Sequence, residues 1–481
     1  MLHRILLVLL GLALFCTLSA QELLTIEKQD SQFASVLNLV LPRSVEYDVQ
    51  NYYVTYTTEN VFGRPDTASG LLSVPLRPPA DLFFPLAVYN HGTIGERSAT
   101  ISNPGVQERF IPVGMTASGY VTIAPDYLGF GVDEGPHPYV HAASEASAGR
   151  DMIIAVRDYL RANPTDFPAI NNQLFVTGYS QGGHAAAALH RDIELNPGDD
   201  GLDVTSATYL SGPYSISDVM VSTIFADESL TLPGYIAYTY ISYNYVYGLF
   251  DSLNEAFVPP YLEPISRFAA GETTLAAFNT ELDELLAANN DQFNAIFQDS
   301  IREVLRGGDP NAPINAALAE NDTYDWSTDD PVLIYYCTRD EQVPNQNAFL
   351  ADSVLRANGS TAITLENGGP ISHGACAIPA VLRSLEFWED FAVLTSLGQP
   401  AERPEVRLFP NPVAAGTNLR WEGLPERSHP FALYDLSGRL RLRGRTDAGG
   451  VTIPAATQAG AYVVRIGLED GTSLVRRILV H

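Results

Sequence analysis

Lysine is nearly absent from this sequence. Lys28 is the only lysine among 481 residues, and the formal net charge is −28. A phosphate-binding P-loop, a Schiff-base lysine and a serine–lysine dyad each need a lysine at the site, so these three chemistries are excluded. The acidic excess would repel nucleic acid and anionic membranes, and we expect neither as a partner.

Cysteine is also scarce. The chain has three cysteines, of which Cys16 lies in the N-terminal segment, leaving Cys337 and Cys376 for the folded protein. The sequence contains no H-E-x-x-H pattern and no cluster of cysteine ligands. We therefore expect no metal site and no cofactor.

The spacing of four histidines also argues against metal binding. His184 and His190 are six residues apart, off the spacing that puts two ligands on one helix face. His137 and His141 are four apart, but Pro138 disfavours a helix there. Structural roles are expected for His184 and His190.

Long apolar runs are missing except at the N-terminus. Residues 1–20 combine Arg4, an apolar core at 5–15 and a small-residue exit at 19–20, which is typical of a signal peptide. That core is too short for a stable membrane span, and residues 232–250 contain too much Tyr, Asn, Ser and Thr for one. We expect an exported protein with no transmembrane helix in the mature chain.

The most informative stretch is residues 173–187, QLFVTGYSQGGHAAA. An apolar run, a G-x-S-x-G turn at 178–182 and an alanine-rich stretch predict a strand, a sharp turn and a helix. In that context the turn is typical of a nucleophile elbow, whose glycines keep side chains out of a cramped bend. Ser180 is the predicted nucleophile. The first N–H groups of the following helix have no intrahelical partner and would face negative charge there.

Strands and helices alternate around this turn. Residues 52–57 and 70–75 alternate like two antiparallel strands, whereas continuous apolar runs predict buried strands. These runs occupy 84–89, 120–124 and 204–210, and residues 145–163 have helical spacing. The pattern predicts a mainly parallel sheet covered by helices on both faces.

The alternation stops over residues 213–330, which are rich in tyrosine and then helical in pattern. This stretch is too long for a loop and predicts an inserted helical cap. Alternation resumes with strands at 331–336 and 362–366 and helices at 345–357 and 377–397.

These patterns divide the chain into six parts. After the signal peptide we expect a first core part (21–212), the cap (213–330), a second core part (331–398), a linker (399–404) and an all-β sandwich (405–481). The last part carries ten arginines and seven acidic residues, so its charge is opposite in sign to that of the body.

A serine nucleophile needs a base and an orienting carboxylate. The strand ending at 336 is followed by Asp340 and Glu341, and the next strand is followed by His373. The order Ser, Asp, His therefore predicts the triad Ser180, Asp340 and His373, with Glu341 as the alternative carboxylate.

Backbone amides are the expected oxyanion donors. Gln181 N–H follows the nucleophile directly. A second donor is expected from the turn after the strand at 84–89, where Gly92 or Thr93 could supply it.

The two remaining cysteines flank the predicted catalytic loops. Cys337 lies three residues before Asp340, and Cys376 lies three residues after His373. Since the aspartate and the histidine must meet, the thiols are carried together as well. A disulfide between Cys337 and Cys376 is predicted; two unpaired buried cysteines are the alternative.

Residues 84–388 resemble the α/β-hydrolase superfamily and, within it, the secretory-lipase-like serine esterases. The matching motifs are NHGT (90–93), APDYLGFG (124–131), HPY (137–139), DMIIAVRDYL (151–160), GYSQGG (178–183), DW (325–326), PVLIYYCTRDEQVP (331–344), HG (373–374) and Trp388. The resemblance implies Ser180 as nucleophile, Asp340 as orienter and His373 as base, acting on acyl esters. The cap matches nothing beyond its helical pattern.

Residues 405–481 are similar to C-terminal sorting domains of type IX secretion cargo. The matching parts are LFPNP (408–412), ALYDLSGRLR (432–441), GAYVVRI (460–466) and the final strand. This resemblance implies outer-membrane secretion machinery as a partner and a secreted or cell-surface location.

The sequence thus favours a secreted serine hydrolase that cleaves small-molecule or lipid carboxylic esters through an acyl-enzyme. The first alternative is a peptidase related to prolyl oligopeptidases, although no propeller repeat precedes the core. The second is a non-catalytic cell-surface binding protein that retains the fold.

Overall fold

The computed structural model describes residues 21–79, 81–198, 200–226, 232–394, 407–423, 428–435, 440–446, 450–467 and 473–481. The predicted signal peptide and the predicted linker lie outside the described residues.

Strands and helices alternate through the first core part as the sequence indicates. Its elements are β1 (Leu23–Gln32), α1 (Ala34–Val40), β2 (Val49–Glu59), β3 (Pro65–Pro75), β4 (Phe83–Asn90), α2 (Phe110–Ala117), β5 (Val121–Pro125), α3 (Ala142–Ala162), β6 (Ala169–Tyr179), α4 (Gln181–Leu195) and β7 (Ser206–Leu210). Strand β1 and helices α1 and α2 are additional to the predicted elements.

Helices follow β7 before the sheet resumes. They are α5 (Val221–Ile224), α6 (Gly234–Tyr247), α7 (Leu262–Ala269), α8 (Leu275–Asn289), α9 (Asp299–Gly307) and α10 (Pro313–Glu320), with a π-helical turn at Ile216–Met220. They share an apolar core of their own, centred on buried aromatic side chains such as Tyr243, Phe257 and Phe278.

The second core part contains β8 (Val332–Tyr336), α11 (Gln346–Ala357), β9 (Ile363–Asn367) and α12 (His373–Glu389). The C-terminal part contains β10 (Arg407–Phe409), β11 (Asn418–Glu422), β12 (Pro430–Asp435), β13 (Leu440–Arg445), β14 (Gly450–Thr452), β15 (Gly460–Gly467) and β16 (Ser473–Val480).

The predicted mainly parallel sheet is confirmed. Nine strands lie in the order β1-β2-β3-β5-β4-β6-β7-β8-β9. Strands β1, β2, β3 and β5 pair antiparallel, and every pairing from β5 to β9 is parallel. Helices α3, α4 and α11 cover one face, and α2 and α12 cover the other. Because both faces are buried, the central strands are apolar throughout rather than alternating.

The C-terminal part is all-β, as predicted. A three-stranded sheet (β10-β11-β14) and a four-stranded sheet (β13-β12-β15-β16) enclose a separate apolar core that includes Trp421, Leu433 and Ile478. We call this part, residues 407–481, the C-terminal module.

Helix α12 differs from its prediction. It begins at His373 rather than at residue 377 and ends at Glu389 rather than at 397. The Ser372 side chain caps it by accepting the N–H of Ala375, so the first turn already starts at His373. The predicted catalytic histidine therefore stands at the start of a helix instead of in a loop.

Across the described residues, every helix is too short or too polar to span a lipid bilayer.

Candidate active site

The predicted elbow is a strained turn between β6 and α4. Ser180 has φ 60° and ψ −122°, a conformation that costs a residue with a side chain about 1–3 kcal/mol. A Cβ atom on Gly178 would lie 2.1 Å from the carbonyl oxygen of Gly182, and one on Gly182 would lie 1.9 Å from that of Asn90. Only glycine fits these two positions, and this explains the spacing of the motif. Ser180 N–H donates to Leu210 O at 2.9 Å, which anchors the turn to β7.

Asp340 and His373 lie together beyond the ends of β8 and β9. His373 Nδ1 is 2.7 Å from Asp340 Oδ2. The other carboxylate oxygen, Oδ1, accepts the N–H groups of Gln342 and Val343 at 3.0 and 2.8 Å. Asp340 is thus fixed by its own loop and can hold the imidazole in one orientation. Among the described residues His373 Nε2 has no hydrogen-bond partner, so it is available to a reacting group.

The alternative carboxylate, Glu341, makes a different contact. Its Oε2 accepts the backbone N–H of His373 at 3.1 Å, whereas the imidazole faces Asp340. The geometry therefore favours Asp340 as the orienting group.

The elbow is tied directly to the histidine. The hydroxyl of Tyr179, the residue before Ser180, donates to the carbonyl oxygen of His373 at 2.6 Å, and the two rings lie 5.0 Å apart. The predicted disulfide is confirmed and holds the same region, because Cys337 after β8 is bonded to Cys376 in α12. The loop that carries Asp340 and the helix that begins at His373 are thereby joined covalently.

The oxyanion donors need one correction. Gly92 N–H donates to Glu108 Oε1 at 2.8 Å, and an amide bound to a carboxylate is not free to receive an oxyanion. Thr93 remains the predicted second donor; its hydroxyl is 3.1 Å from the Tyr139 hydroxyl. Gln181 N–H makes no hydrogen bond within the described part of the chain.

A buried polar network lies beneath the elbow and was not anticipated from the sequence. Gln181 Nε2 is 2.8 Å from Glu145 Oε1 and 2.9 Å from His137 Nε2. His137 Nδ1 is 2.7 Å from the Leu128 carbonyl, which only accepts, so Nδ1 carries the proton and Nε2 accepts from Gln181. Both amide protons of Gln181 are therefore engaged, and the residue that presents the first oxyanion donor is locked in place.

The network continues to the helical cap. Glu145 Oε2 is 2.6 Å from His184 Nδ1, and His184 Nε2 is 2.8 Å from the carbonyl oxygen of Asn321. Both ring nitrogens of His184 thus lie within hydrogen-bond distance of an oxygen atom. Asn321 in turn contacts the hydroxyl of Tyr247 in α6. A glutamate in the first turn of a helix normally lies on a solvated face, and only the fold shows that Glu145 is buried.

Ser180 opens onto an apolar pocket between the core and the cap. The pocket is partly open, and the space between its walls amounts to about 750 Å³ with open solvent included. Besides Ser180 and Gln181 its walls include Ile216, Tyr235, Ile236, Tyr240, Phe293 and Val343. The tyrosine-rich helix α6 thus supplies one wall next to the nucleophile.

In the described part of the chain, one group of histidine and carboxylate side chains is compact enough to hold a metal ion: His190, Glu194 and Asp330. It lies at the opposite end of the sheet from Ser180, since Asp330 precedes β8 and Asp340 follows it. An arginine, Arg465, contacts both of its carboxylates.

Several solved structures resemble this chain. One is a mutant of the rice cell wall degrading esterase LipA from Xanthomonas oryzae, with 25% identity over 77% of this chain and 98% of that chain and a TM-score of 0.67. Another is a putative hydrolase from Legionella pneumophila, with 25% identity, the same two coverages and a TM-score of 0.66. Candida antarctica lipase A has 15% identity over 80% of this chain and 86% of that chain and a TM-score of 0.57, a likeness of fold alone.

No family model and no curated protein sequence matches the chain. The structural likenesses confirm the α/β-hydrolase fold, and they support ester hydrolysis because the similar proteins include esterases and lipases.

The buried network generates a first prediction. Glu145→Gln keeps the shape of the side chain but removes the charge that holds Gln181 and His184. We expect kcat for an ester to fall about tenfold or more with little change in KM, because a displaced donor acts on the transition state. Steady-state kinetics at a temperature where the variant is folded measures this. An unchanged kcat would show that the network does not position Gln181.

The second prediction concerns pH. Burial lowers the pKa of His137 to about 3, whereas an unfolded histidine titrates near 6.5. Between these values the unfolded chain binds a proton that the folded chain does not, so the free energy of unfolding falls on acidification by about 1.4 kcal/mol per pH unit from this group. His137→Gln retains a donor and an acceptor but does not titrate. Urea unfolding from pH 7 to pH 4 should give stability curves of the two proteins that converge, and parallel curves would contradict the assignment.

Proposed function

We propose that this protein is a serine-dependent carboxylic ester hydrolase. The observation that carries the proposal is a strained serine at the strand-to-helix turn, whose preceding residue, Tyr179, is hydrogen-bonded to His373. The Nδ1 atom of this histidine is bound by Asp340, and its Nε2 is unpartnered among the described residues. An oriented imidazole with one nitrogen free is what activation of a hydroxyl requires.

The mechanism follows from these positions. Ser180 Oγ attacks the ester carbonyl carbon while His373 Nε2 takes its proton, and Asp340 stabilises the imidazolium that forms. The N–H groups of Gln181 and Thr93 receive the negative charge on the carbonyl oxygen. The imidazolium then protonates the leaving alcohol, and an acyl-enzyme remains. Water, deprotonated by His373, attacks this intermediate and releases the acid and the free serine.

Substrate preference would come from the cap. The pocket beside Ser180 is mostly apolar, with Tyr235 and Tyr240 among its walls, and suits an apolar or aromatic acyl group. The peptidase and binding-protein alternatives receive no support from the similar structures, which include esterases and a lipase.

Export is part of the proposal. The signal-peptide pattern at residues 1–20 and the disulfide favour an oxidising, extracellular location. Delivery through type IX secretion machinery rests on the sequence motifs of residues 405–481.

Removing the nucleophile tests the mechanism. Ser180→Ala should lower kcat/KM for a nitrophenyl ester by about 10⁴ or more while the protein stays folded, because the other hydroxyl of the elbow, that of Tyr179, is bonded to the His373 carbonyl. The thermal unfolding midpoint should not fall, since the variant removes only a hydroxyl. A variant that keeps more than about a tenth of the activity would refute the mechanism.

A matched pair of carboxylate variants tests the orienting residue. Asp340→Asn should lower kcat at least about a hundredfold, because an amide cannot stabilise the imidazolium. Glu341→Gln, one residue away, should change kcat less than about threefold, since its contact is to a backbone N–H. Kinetics of both variants at one pH makes the comparison. The opposite ranking would assign the role to Glu341.

A further inference from the structure

The four-stranded sheet of the C-terminal module is buried on both faces. Side chains alternate along a strand, and one set, which includes Leu433 and Val464, faces the apolar core of the sandwich. The opposite set should meet water in a free-standing sandwich. Instead Ala432, Tyr434 and Val463 form a second buried cluster, so this face is covered.

The same face carries a buried arginine. Arg465 lies two residues after Val463 on β15 and is 6% exposed. Its Nη1 donates to Glu194 Oε2 at 2.9 Å, and its Nη2 donates to Asp330 Oδ1. Both carboxylates belong to the part of the protein before the module, residues 21–394, which we call the hydrolase body. The guanidinium therefore crosses from the module into a pocket at the end of α4.

We call this pocket the acidic socket and define it by His190, Glu194 and Asp330. Its geometry is fixed by contacts within the body. His190 Nε2 is 3.0 Å from Asp330 Oδ2, and its Nδ1 is 2.7 Å from the hydroxyl of Tyr209 in β7. Thr328 Oγ1 donates to Asp330 Oδ2 at 3.1 Å. Helix α4, strand β7 and the short loop before β8 thus hold the socket in place, and none of them belongs to the module.

The buried carboxylates of the socket favour a cation beside them. One ligand atom from each of its three residues lies within 4.8 Å of the others, and all three residues are buried. Two buried carboxylates this close cannot both ionise without a counter-charge. Glu194 Oε2 accepts from Arg465, whereas Glu194 Oε1 has no hydrogen-bond partner among the described residues.

The titration behaviour agrees with this geometry. Burial opposes ionisation of Asp330, but the attraction of Arg465 outweighs it and holds the pKa of this carboxyl below its usual range. Burial raises the pKa of Glu194, and the neighbouring Asp330 adds to that rise. Asp330 and Arg465 are therefore the charged pair, and His190, whose pKa is lowered by burial, supplies no positive charge.

Other polar contacts between the module and the body are more exposed. Arg443 pairs with Asp329, and both side chains are at least one third exposed. Arg477 donates to Asn196 at 3.3 Å, also near the surface. Exposed pairs contribute little to stability, whereas removing one partner of a buried pair is costly. Arg465 should dominate the polar part of the contact.

We propose that His190, Glu194 and Asp330 form a cation-binding site of the hydrolase body, and that the guanidinium of Arg465 is its resident ligand. The C-terminal module is then a structural partner of the body, which depends on Arg465 to neutralise the buried carboxylate of Asp330 and to donate to that of Glu194. In a hydrolase body separated from the module, this site is open and fits a planar guanidinium cation. An arginine side chain on another β-sheet surface would supply such a cation. This role is independent of ester hydrolysis.

Variants of the full-length chain test the dependence. Arg465→Ala should lower the thermal unfolding midpoint by roughly 10 °C, because it leaves the buried Asp330 carboxylate without a counter-ion and Glu194 without its donor. Arg443→Ala, in the same contact region but exposed, is the matched control and should shift the midpoint by no more than about 2 °C. Arg465→Lys, which keeps the charge but loses the planar fork, should lie between them and serves if the alanine variant does not fold.

Chemical rescue tests the site itself. Millimolar methylguanidinium should raise the unfolding midpoint of Arg465→Ala relative to the same concentration of sodium chloride, and should not raise that of the unaltered chain. Adding Glu194→Gln and Asp330→Asn to Arg465→Ala should restore part of the lost stability and abolish the response to methylguanidinium. Equal midpoints for the two arginine-to-alanine variants, or equal effects of the two salts, would overturn the proposal.

Discussion

The arrangement of the candidate active site depends on the backbone conformation of Ser180. A positive φ at a residue with a side chain is unfavourable, and it persists only where the surroundings impose it. Here the turn is held between β6 and α4 by the close approach of Gly178 to Gly182 and of Gly182 to Asn90, and by a bond to β7. The parallel sheet provides this frame, and the loops after β8 and β9 bring Asp340 and His373 beside it.

Two sets of contacts hold the residues around the nucleophile in place, and they differ in kind. On one side a disulfide and a tyrosine hydroxyl fix the Asp340 loop and the start of α12 at His373. On the other side a buried hydrogen-bond network fixes Gln181 through Glu145 and continues by His184 to the cap. Buried polar networks are costly unless every member is paired, so their presence beside a reacting group is consistent with positioning rather than with stability. The cap is therefore connected to the elbow by contacts as well as by the pocket.

The features that were predicted correctly are those that depend on residues close together in the sequence. The alternation of strands, the elbow glycines and the cysteine pair each leave a recognisable pattern within a few residues. The Gly92 donor failed because the competing carboxylate, Glu108, approaches from a turn that the sequence pattern does not place. Glu145 and Arg465 resemble ordinary surface charges in a helix and a strand, and only the packing of distant elements buries them. Long-range electrostatics is thus the part of the site and of the module contact that sequence periodicity cannot predict.

The proposed chemistry requires Ser180 to be an activated nucleophile. Mass spectrometry of the purified protein after treatment with a fluorophosphonate measures this property, because the reagent reacts with a serine that a neighbouring base has activated. We expect one phosphonyl adduct per chain, located on the peptide that contains Ser180, and loss of labelling when the protein is unfolded first. An adduct on another residue, or none on the folded protein, would contradict the assignment of Ser180.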